Sequence, residues 1–291
     1  ILDEVSKVTP EKPVVVIGHG GEQVREAVPD RALTAIQHEQ LGTANAVQAA
    51  ESLAKGKCDL VLVAYSDMPC LRAETIQNIC GLQQENQSVF TMLTIVQEDS
   101  HGFGRILRNA DGSVAAIVEE ALATPEQLKI KECNVGLYCF KAEWLWDSLK
   151  KIQISPKGEF YLTDLVEIAN RENLPVRALI LDDHDEALGV NTRVHLSEAE
   201  AVIRKRINRH WMTEGVTMID PNTTYISADV QIERDVTIYP DSWVSGKTII
   251  QSGCEIGPFV IITDSTIGEN SLIRQTTVSG QQLPGHTRKT A

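Results

Sequence analysis

The amino-acid sequence predicts an α/β layered domain, then a long helix, then the start of a parallel β-helix. Three observations predict this. Short aliphatic runs alternate with helix-like stretches through the first part of the chain; a charged amphipathic stretch follows; and beyond it an aliphatic residue recurs every six positions. Runs that are apolar on successive residues are buried on both faces, as in a parallel sheet flanked by helices, and a period of six is the mark of a coil with three flat sides.

In order, "PVVVIG" (13–18) precedes "EQVREAV", "ALTAI" (32–36) precedes "GTANAVQAAESLAKG", and "DLVLVAY" (59–65) precedes "RAETIQNICGLQQEN"; "SVFTMLTIV" (88–96) is the fourth such run. After residue 100 the pattern changes. "GRILR" and "SVAAIVEE" flank Asn109-Ala110-Asp111-Gly112, whose Asp-Gly pair is a hairpin signal, so a β-rich insert sits on the parallel core. "CNVGLYCF" (133–140) reads as a further strand, 142–150 and 161–171 as helices, and "RALIL" (177–181) as a strand.

From residue 196 to 212, Leu196, Ala199, Ile203, Ile207 and Trp211 form one stripe at spacings of three and four. The stripe is expected to pack this connector on the domain it leaves. Beyond it Ile226, Ile232, Ile238, Val244, Ile250, Ile256 and Ile262 recur every six residues, with Val230, Val236, Ser242, Thr248, Cys254 and Val260 between them. The ladder slips at Ile267, resumes at Ile273 and stops near Gly280; "QQLPGHTRKTA" has no period and reads as disordered. The expected divisions are 1–190, a linker helix at 191–215, the β-helix at 216–280 and a tail at 281–291.

A formal net charge of −13 argues against a nucleic-acid or anionic-membrane partner. No apolar run approaches the ~20 residues that span a bilayer. Cys58, Cys70, Cys80, Cys133, Cys139 and Cys254 are scattered without metal-ligand spacing, which predicts buried thiols in a reducing, cytoplasmic compartment.

Several segments carry chemistry. "VIGHGGEQV" has Gly18 and Gly20, but Gln23 stands where a dinucleotide fingerprint needs its third glycine. In "QHEQLGTANAV", Gly42 and Thr43 precede a helix, either as a ligand-facing turn or with Thr43 as the helix cap. In "YSDMP", Asp67 ends a buried strand, where a carboxylate suits Mg²⁺ carrying substrate phosphates; it is equally placed to cap a helix beginning near Leu71. Asn191 reads as a cap for the long helix, Glu119 as a solvated strand-end charge and Gly104 as a strand-start glycine. Asn134 sits in a strand, where Asn is disfavoured and needs a reason.

Taken in order, "VIGHGGEQV", "QHEQLGTANAV", "YSDMP", "GFGRI", "IVEE", "ECNVGLY", "GEFYLTD" and "GVNTRVHL", followed by the long helix and the hexapeptide ladder, closely resemble one family over residues 1 to about 280. It is the bacterial bifunctional N-acetylglucosamine-1-phosphate uridylyltransferase / glucosamine-1-phosphate N-acetyltransferase. The resemblance implies a Rossmann-like nucleotidyltransferase domain with a mixed, mainly parallel sheet, and a left-handed β-helix. It implies a Mg²⁺-dependent reaction of UTP with N-acetylglucosamine-1-phosphate that gives UDP-N-acetylglucosamine and pyrophosphate. By the family's pattern Gln37, Gly42 and Thr43 contact uracil; Tyr65, Ser66 and Asp67 face nucleotide and sugar; Gly104, Glu119 and Asn134 hold the amino-sugar. Asp67 and Asn191 are the implied Mg²⁺ ligands, and a homotrimer built through β-helix faces is implied for the full-length parent.

Three departures set further expectations. Ser66 stands where the family usually has Gly. Residues 1–20 contain no Gly-rich loop with the family's Arg and Lys, so a preceding segment with a central strand is expected to be missing, leaving a strand edge open and the chain with little or no uridylyltransferase activity. The acetyltransferase residues belong to later coils, and His286 is assigned no catalytic part. The alternatives are another sugar-1-phosphate nucleotidyltransferase with a β-helix, a non-catalytic ligand-sensing subunit, and, disfavoured by its glycine pattern, a dehydrogenase.

Overall fold

The structure, a computed structural model, describes residues 1–291 and forms two compact units, Ile1–Val190 and Asn191–Ala291. The first runs α1 (Leu2–Ser6), β1 (Val14–Ile17), α2 (Gly21–Ala27), β2 (Leu33–Ile36), α3 (Thr43–Ala49), α4 (Glu51–Ala54), β3 (Leu60–Ala64), α5 (Ala73–Glu85) and β4 (Phe90–Val96). It continues with β5 (Arg105–Arg108), β6 (Val114–Val118), β7 (Glu132–Lys141), α6 (Ala142–Leu149), α7 (Leu165–Arg171) and β8 (Val176–Ile180).

The unit is α/β with a mixed sheet. β1 and β2 pair in parallel as a separate two-stranded sheet, and the larger sheet has the order β6-β5-β7-β4-β8, with β3 also pairing β7. β4 and β8 are parallel neighbours, whereas β3 and β4 each run antiparallel to β7, which lies between them. The apolar runs suggested direct parallel neighbours. Burial on both faces requires only a covering layer on each side and does not fix a neighbour's direction, so a ten-residue buried strand can take the central place. β3 has a strand partner on one side only.

β7 organises the core because its side chains alternate across the sheet. Tyr138 and Phe140 join one cluster with Phe90, Met92, Trp146 and Leu165, while Cys133, Val135, Leu137 and Cys139 join the other with Ile76, Ile79, Leu93 and Ile95. The hairpin closes as the Asp-Gly pair implies: Gly112 has φ +85° and Asn109 N–H donates to the Ser113 carbonyl at 2.9 Å. The segment read as a helix over 161–171 opens as a 3-10 turn, Leu162–Asp164, before α7.

α5 has Arg72 at its cap position and no cap from its own residues. Two distant carboxylates serve instead: buried Glu186 accepts from Arg72 N–H at 2.8 Å and Thr75 Oγ1 at 2.9 Å, and Glu4 accepts from Ala73 N–H at 2.8 Å. Charge at a helix N-terminus satisfies its unpaired N–H groups and complements the dipole.

The second unit opens with α8 (Arg193–Thr213), capped by Thr192, whose Oγ1 accepts from His195 N–H at 3.2 Å. Ile207 and Trp211 pack against the β-helix core, and the Asn208 amide donates to the Pro221 and Thr224 carbonyls; Leu196 and Ile203 are exposed. Burial on α8 is not confined to these later turns, since Ala199 of the stripe is also buried.

Three parallel sheets form the coil's sides. One stacks Thr224–Ile226, Ser242–Ser245, Val260–Thr263 and Thr277–Ser279; the second stacks Gln231–Ile232, Ile249–Ile250, Thr266–Ile267 and Gln282–Leu283. The third stacks Thr217–Met218, Thr237–Ile238, Glu255–Ile256, Leu272–Ile273 and Arg288–Lys289. The ladder from Ile226 to Ile262 is buried along its length, as are Ile267, Ile273 and Val278; full burial of each such side chain contributes ~1.5–3 kcal/mol. Asp235, Asp241, Asp264 and Asn270 take positive φ, a conformation that Asn and Asp side chains tolerate.

Two expectations are corrected. Residues 281–291 are not a disordered tail: Leu283 pairs with Ile267 and Arg288 with Leu272. A parallel coil is held by backbone bonds to the previous turn, so it continues where the apolar period fades. All six cysteines are free, but Cys58, in the turn before β3, is exposed, and Cys80 is half-buried. No helix is long and apolar enough to cross a membrane.

Candidate functional site

Gln37 follows β2, and its Nε2 donates to the Gly42 carbonyl at 3.1 Å and to Asn45 Oδ1 at 2.8 Å, which folds the connecting loop onto the start of α3. Gly42 has φ +100°, and a Cβ there would stand 2.6 Å from the Phe160 carbonyl oxygen and 2.9 Å from its nitrogen. Only glycine permits that approach. Phe160 N–H donates to the Leu41 carbonyl at 2.7 Å, and Ala44 N–H donates to the Phe160 carbonyl at 2.9 Å. Thr43 does not cap α3. Gly42 holds the cap position, and Thr43 Oγ1 accepts from Leu162 N–H at 2.9 Å.

The same segment reaches the second group of predicted residues. Thr163, beside Leu162, donates from Oγ1 to Glu119 Oε1 at 2.8 Å. A Cβ on Gly104 would lie 3.0 Å from Ile117 Cγ2, 3.6 Å from Glu119 Oε2 and 3.7 Å from Asn134 Cβ, so Gly104, Glu119 and Asn134 converge. Asn134 N–H donates to the Gly104 carbonyl at 2.9 Å, and its Nδ2 donates to Tyr138 Oη at 2.6 Å. That bond is the reason an Asn is accepted in a buried strand. Glu119 is not a solvated edge charge: burial raises its pKa, against the opposing bond from Thr163. Asp164 is pushed up to about 6 by burial and by the neighbouring Glu167 and Glu119 charges. A cleft of about 740 Å³, lined by Gly102, Arg105, Glu119, Glu120 and Tyr161 among others, opens beside this cluster.

Tyr65 stands between the two groups. Its N–H donates to the Gly136 carbonyl at 3.1 Å, and a Cβ on Gly136, where φ is +74°, would meet the Tyr65 ring at 2.5 Å. The partly buried Tyr65 phenol, whose pKa desolvation raises, interacts with the Tyr138 and Thr43 hydroxyls. Next to it Ser66 is exposed and Asp67 half-buried.

Capping does not explain Asp67, because α5 starts at Ala73 and Glu186 and Glu4 serve its N-terminus. The Asp67 carbonyl accepts from Val190 N–H at 2.7 Å. Nor is Asn191 the cap of α8, which is Thr192; Asn191 N–H donates to His195 Nδ1 at 3.3 Å. Both side chains are therefore left unused by the helices that could have claimed them. A carboxylate is a hard donor of the kind Mg²⁺ takes one or two of beside substrate phosphates, so Asp67 fits that ion by its chemistry. No group of three or more His, Cys, Asp or Glu is disposed to hold a metal.

Sequence reasoning assigned no role to Leu162, Thr163 or Tyr138. The "GEFYLTD" segment signalled the first two, and strand periodicity signalled the third, since residues 134, 136 and 138 share a face of β7.

The two groups of predicted residues are joined by a short segment and carry amide, hydroxyl and carboxylate groups. Residues 10–212 match the nucleotidyl transferase family, and the chain belongs to it. Within curated proteins it is 40% identical over 284 residues to the bifunctional protein GlmU of an Exiguobacterium species, covering 97% of this chain and 63% of that protein. It is 42% identical over 284 residues to the bifunctional protein GlmU of Heliobacterium modesticaldum (97% and 62%) and 40% identical over 279 residues to that of Enterococcus faecalis (96% and 61%). The chain thus spans 61% to 63% of the length of these relatives.

Proposed function

We propose that the first unit carries a site for nucleotidyl transfer from UTP to N-acetylglucosamine-1-phosphate. A phosphate oxygen of the sugar phosphate attacks the α-phosphorus of UTP, pyrophosphate leaves, and UDP-N-acetylglucosamine forms. The observation that carries this reading is the junction of Gln37, Gly42 and Thr43 with Gly104, Glu119 and Asn134 through Phe160, Leu162 and Thr163.

Gln37, Gly42 and Thr43 hold uracil. Tyr65 and Ser66 line the middle of the ligand, and Gly104, Glu119 and Asn134 hold the amino-sugar. Such a transfer needs positioning and charge neutralisation more than a covalent residue, in keeping with a site built of hydrogen-bonding groups. Asp67 would supply a carboxylate to Mg²⁺, which when bound would neutralise phosphate charge. Ser66 adds a hydroxymethyl group beside Asp67 and reshapes the site there.

Residues 1–291 contain no Gly-rich triphosphate loop, so this chain is expected to bind the UDP-sugar and to turn over UTP weakly or not at all. The family resemblance implies a homotrimer for the whole protein, and the outward column Tyr225, Trp243 and Ile261 on one face of the β-helix, with Trp243 and Ile261 exposed, is a face suited to contact with another copy. Titration of UTP, dTTP and GTP against the purified chain tests the base: UTP is expected to bind most tightly, and a preference for dTTP or GTP would move the assignment to another sugar nucleotide.

A further inference from the structure

Tyr138 is buried inside the sheet, yet its hydroxyl is engaged from two directions. Asn134 Nδ2 donates to Tyr138 Oη at 2.6 Å, and the Tyr138 hydroxyl also bears on the Tyr65 phenol, whose ring centroid is 6.2 Å from that of Tyr138. Tyr65 in turn interacts with the Thr43 hydroxyl. The ring is clamped by packing on Phe140, centroids 5.7 Å apart, and by its place in the core with Phe90 and Met92. A phenol has one proton to donate and lone pairs to accept, so an oxygen that accepts from Asn134 keeps its proton for Tyr65. Gly136, between Asn134 and Tyr138 on the strand, leaves room for the Tyr65 ring and completes the row.

A polar group buried with matched partners specifies one arrangement, and losing one member leaves the others unsatisfied. We propose that Tyr138 is a positioning residue that orients Asn134 at the sugar end and Tyr65, and through it Thr43, at the uridine end, so that the two ends are set by one hydroxyl. This rests on the reading of the site as one for a UDP-amino-sugar. Tyr138 touches neither part of the ligand. Its burial pushes its own ionisation well above the ordinary tyrosine value, which keeps the proton on the phenol throughout the working pH range.

The test is calorimetric titration of UDP-N-acetylglucosamine and, separately, of UTP against the wild-type chain and the variants Tyr138→Phe, Asn134→Ala and Tyr138→Phe/Asn134→Ala, each first shown to be folded by thermal melting. Tyr138→Phe is expected to weaken both ligands roughly fivefold, Asn134→Ala to weaken the UDP-sugar alone, and the double variant to lose less than the product of the single effects. Tyr65→Phe, which removes the next hydroxyl, is expected to repeat the loss on both ligands. A lower Tm with both affinities unchanged in Tyr138→Phe, or independent effects in the double variant, would overturn the positioning role while leaving the site assignment intact. Failure of the wild-type chain to bind either ligand would instead overturn the site assignment, and this role with it.

Discussion

Gly42 holds a positive φ against the Phe160 backbone, and at such a position a methyl group meets both a strained conformation and a collision. Gly42→Ala is therefore expected to destabilise the chain by roughly 1–3 kcal/mol and to weaken UTP binding, as read by urea denaturation and titration. Unchanged stability would show that Phe160 can move aside. Asp164 offers a pH signature. Burial holds its carboxyl at about 6, above the usual 3.8, so between those values the folded chain keeps a proton that the unfolded chain has lost. Stability from this group falls as pH rises from about 4 to about 6 and stays lower above that. Asp164→Asn is expected to raise Tm by roughly 2–4 °C at pH 7.5 and to leave it unchanged near pH 4, the gain being small because the group is half-exposed. An equal gain at both pH values would contradict the cause. At this scale the chain's pattern placed Asp67 at the end of a strand but could not decide between cap and ligand. The groups that serve the N-terminus of α5 in its place, Glu186 and Glu4, lie far from it in sequence.

Among the elements, α5 depends most on remote residues. Glu186 is buried and accepts from both a backbone N–H and Thr75, so Glu186→Ala is expected to cost about 2 kcal/mol, while Glu4→Ala costs about 0.5–1 kcal/mol. Equilibrium urea denaturation measures both, and equal losses would show that burial of the acceptor does not matter. Element type was legible wherever a local pattern decides it: the Asp-Gly hairpin, the aliphatic strands and α8 all follow from turn chemistry or periodicity. Neighbour relations were not. β7 lies between β3 and β4 because of tertiary pairing, and a run such as "CNVGLYCF" carries no mark of the direction of its partners. For α8 the stripe shows that a face is buried, not against what, and Ile207 and Trp211 lie on the β-helix core.

For the whole molecule, the β-helix was the most legible part, because a repeat every six residues admits few folds. What the repeat does not encode is where the coil stops. Backbone pairing carries it through Arg288–Lys289, past the point at which the apolar positions fade. The outward column on one side has Tyr225 stacked on Trp243 at 5.0 Å and Arg204 over Tyr225 at 4.5 Å. Exposed aromatic and aliphatic residues in register are suited to a second copy, and Trp243→Glu is expected to shift an assembled form toward monomer in light scattering after gel filtration. A wild-type chain that is monomeric at every concentration tested would count against this face as a contact.

The two residue groups of the candidate site were marked in the sequence by short motifs in a fixed order, whereas the bond from Thr163 to Glu119 spans many residues and was not marked. The central claim is that these groups form one Mg²⁺-assisted site for a UDP-amino-sugar. Its most direct test is calorimetric titration of UDP-N-acetylglucosamine into the wild-type chain and into Asp67→Asn, each with and without Mg²⁺. The account predicts that the wild-type chain binds, that Mg²⁺ tightens binding, and that Asp67→Asn removes the Mg²⁺ effect with Tm nearly unchanged. Absence of binding to the wild-type chain, or an undiminished Mg²⁺ effect in Asp67→Asn, would contradict it.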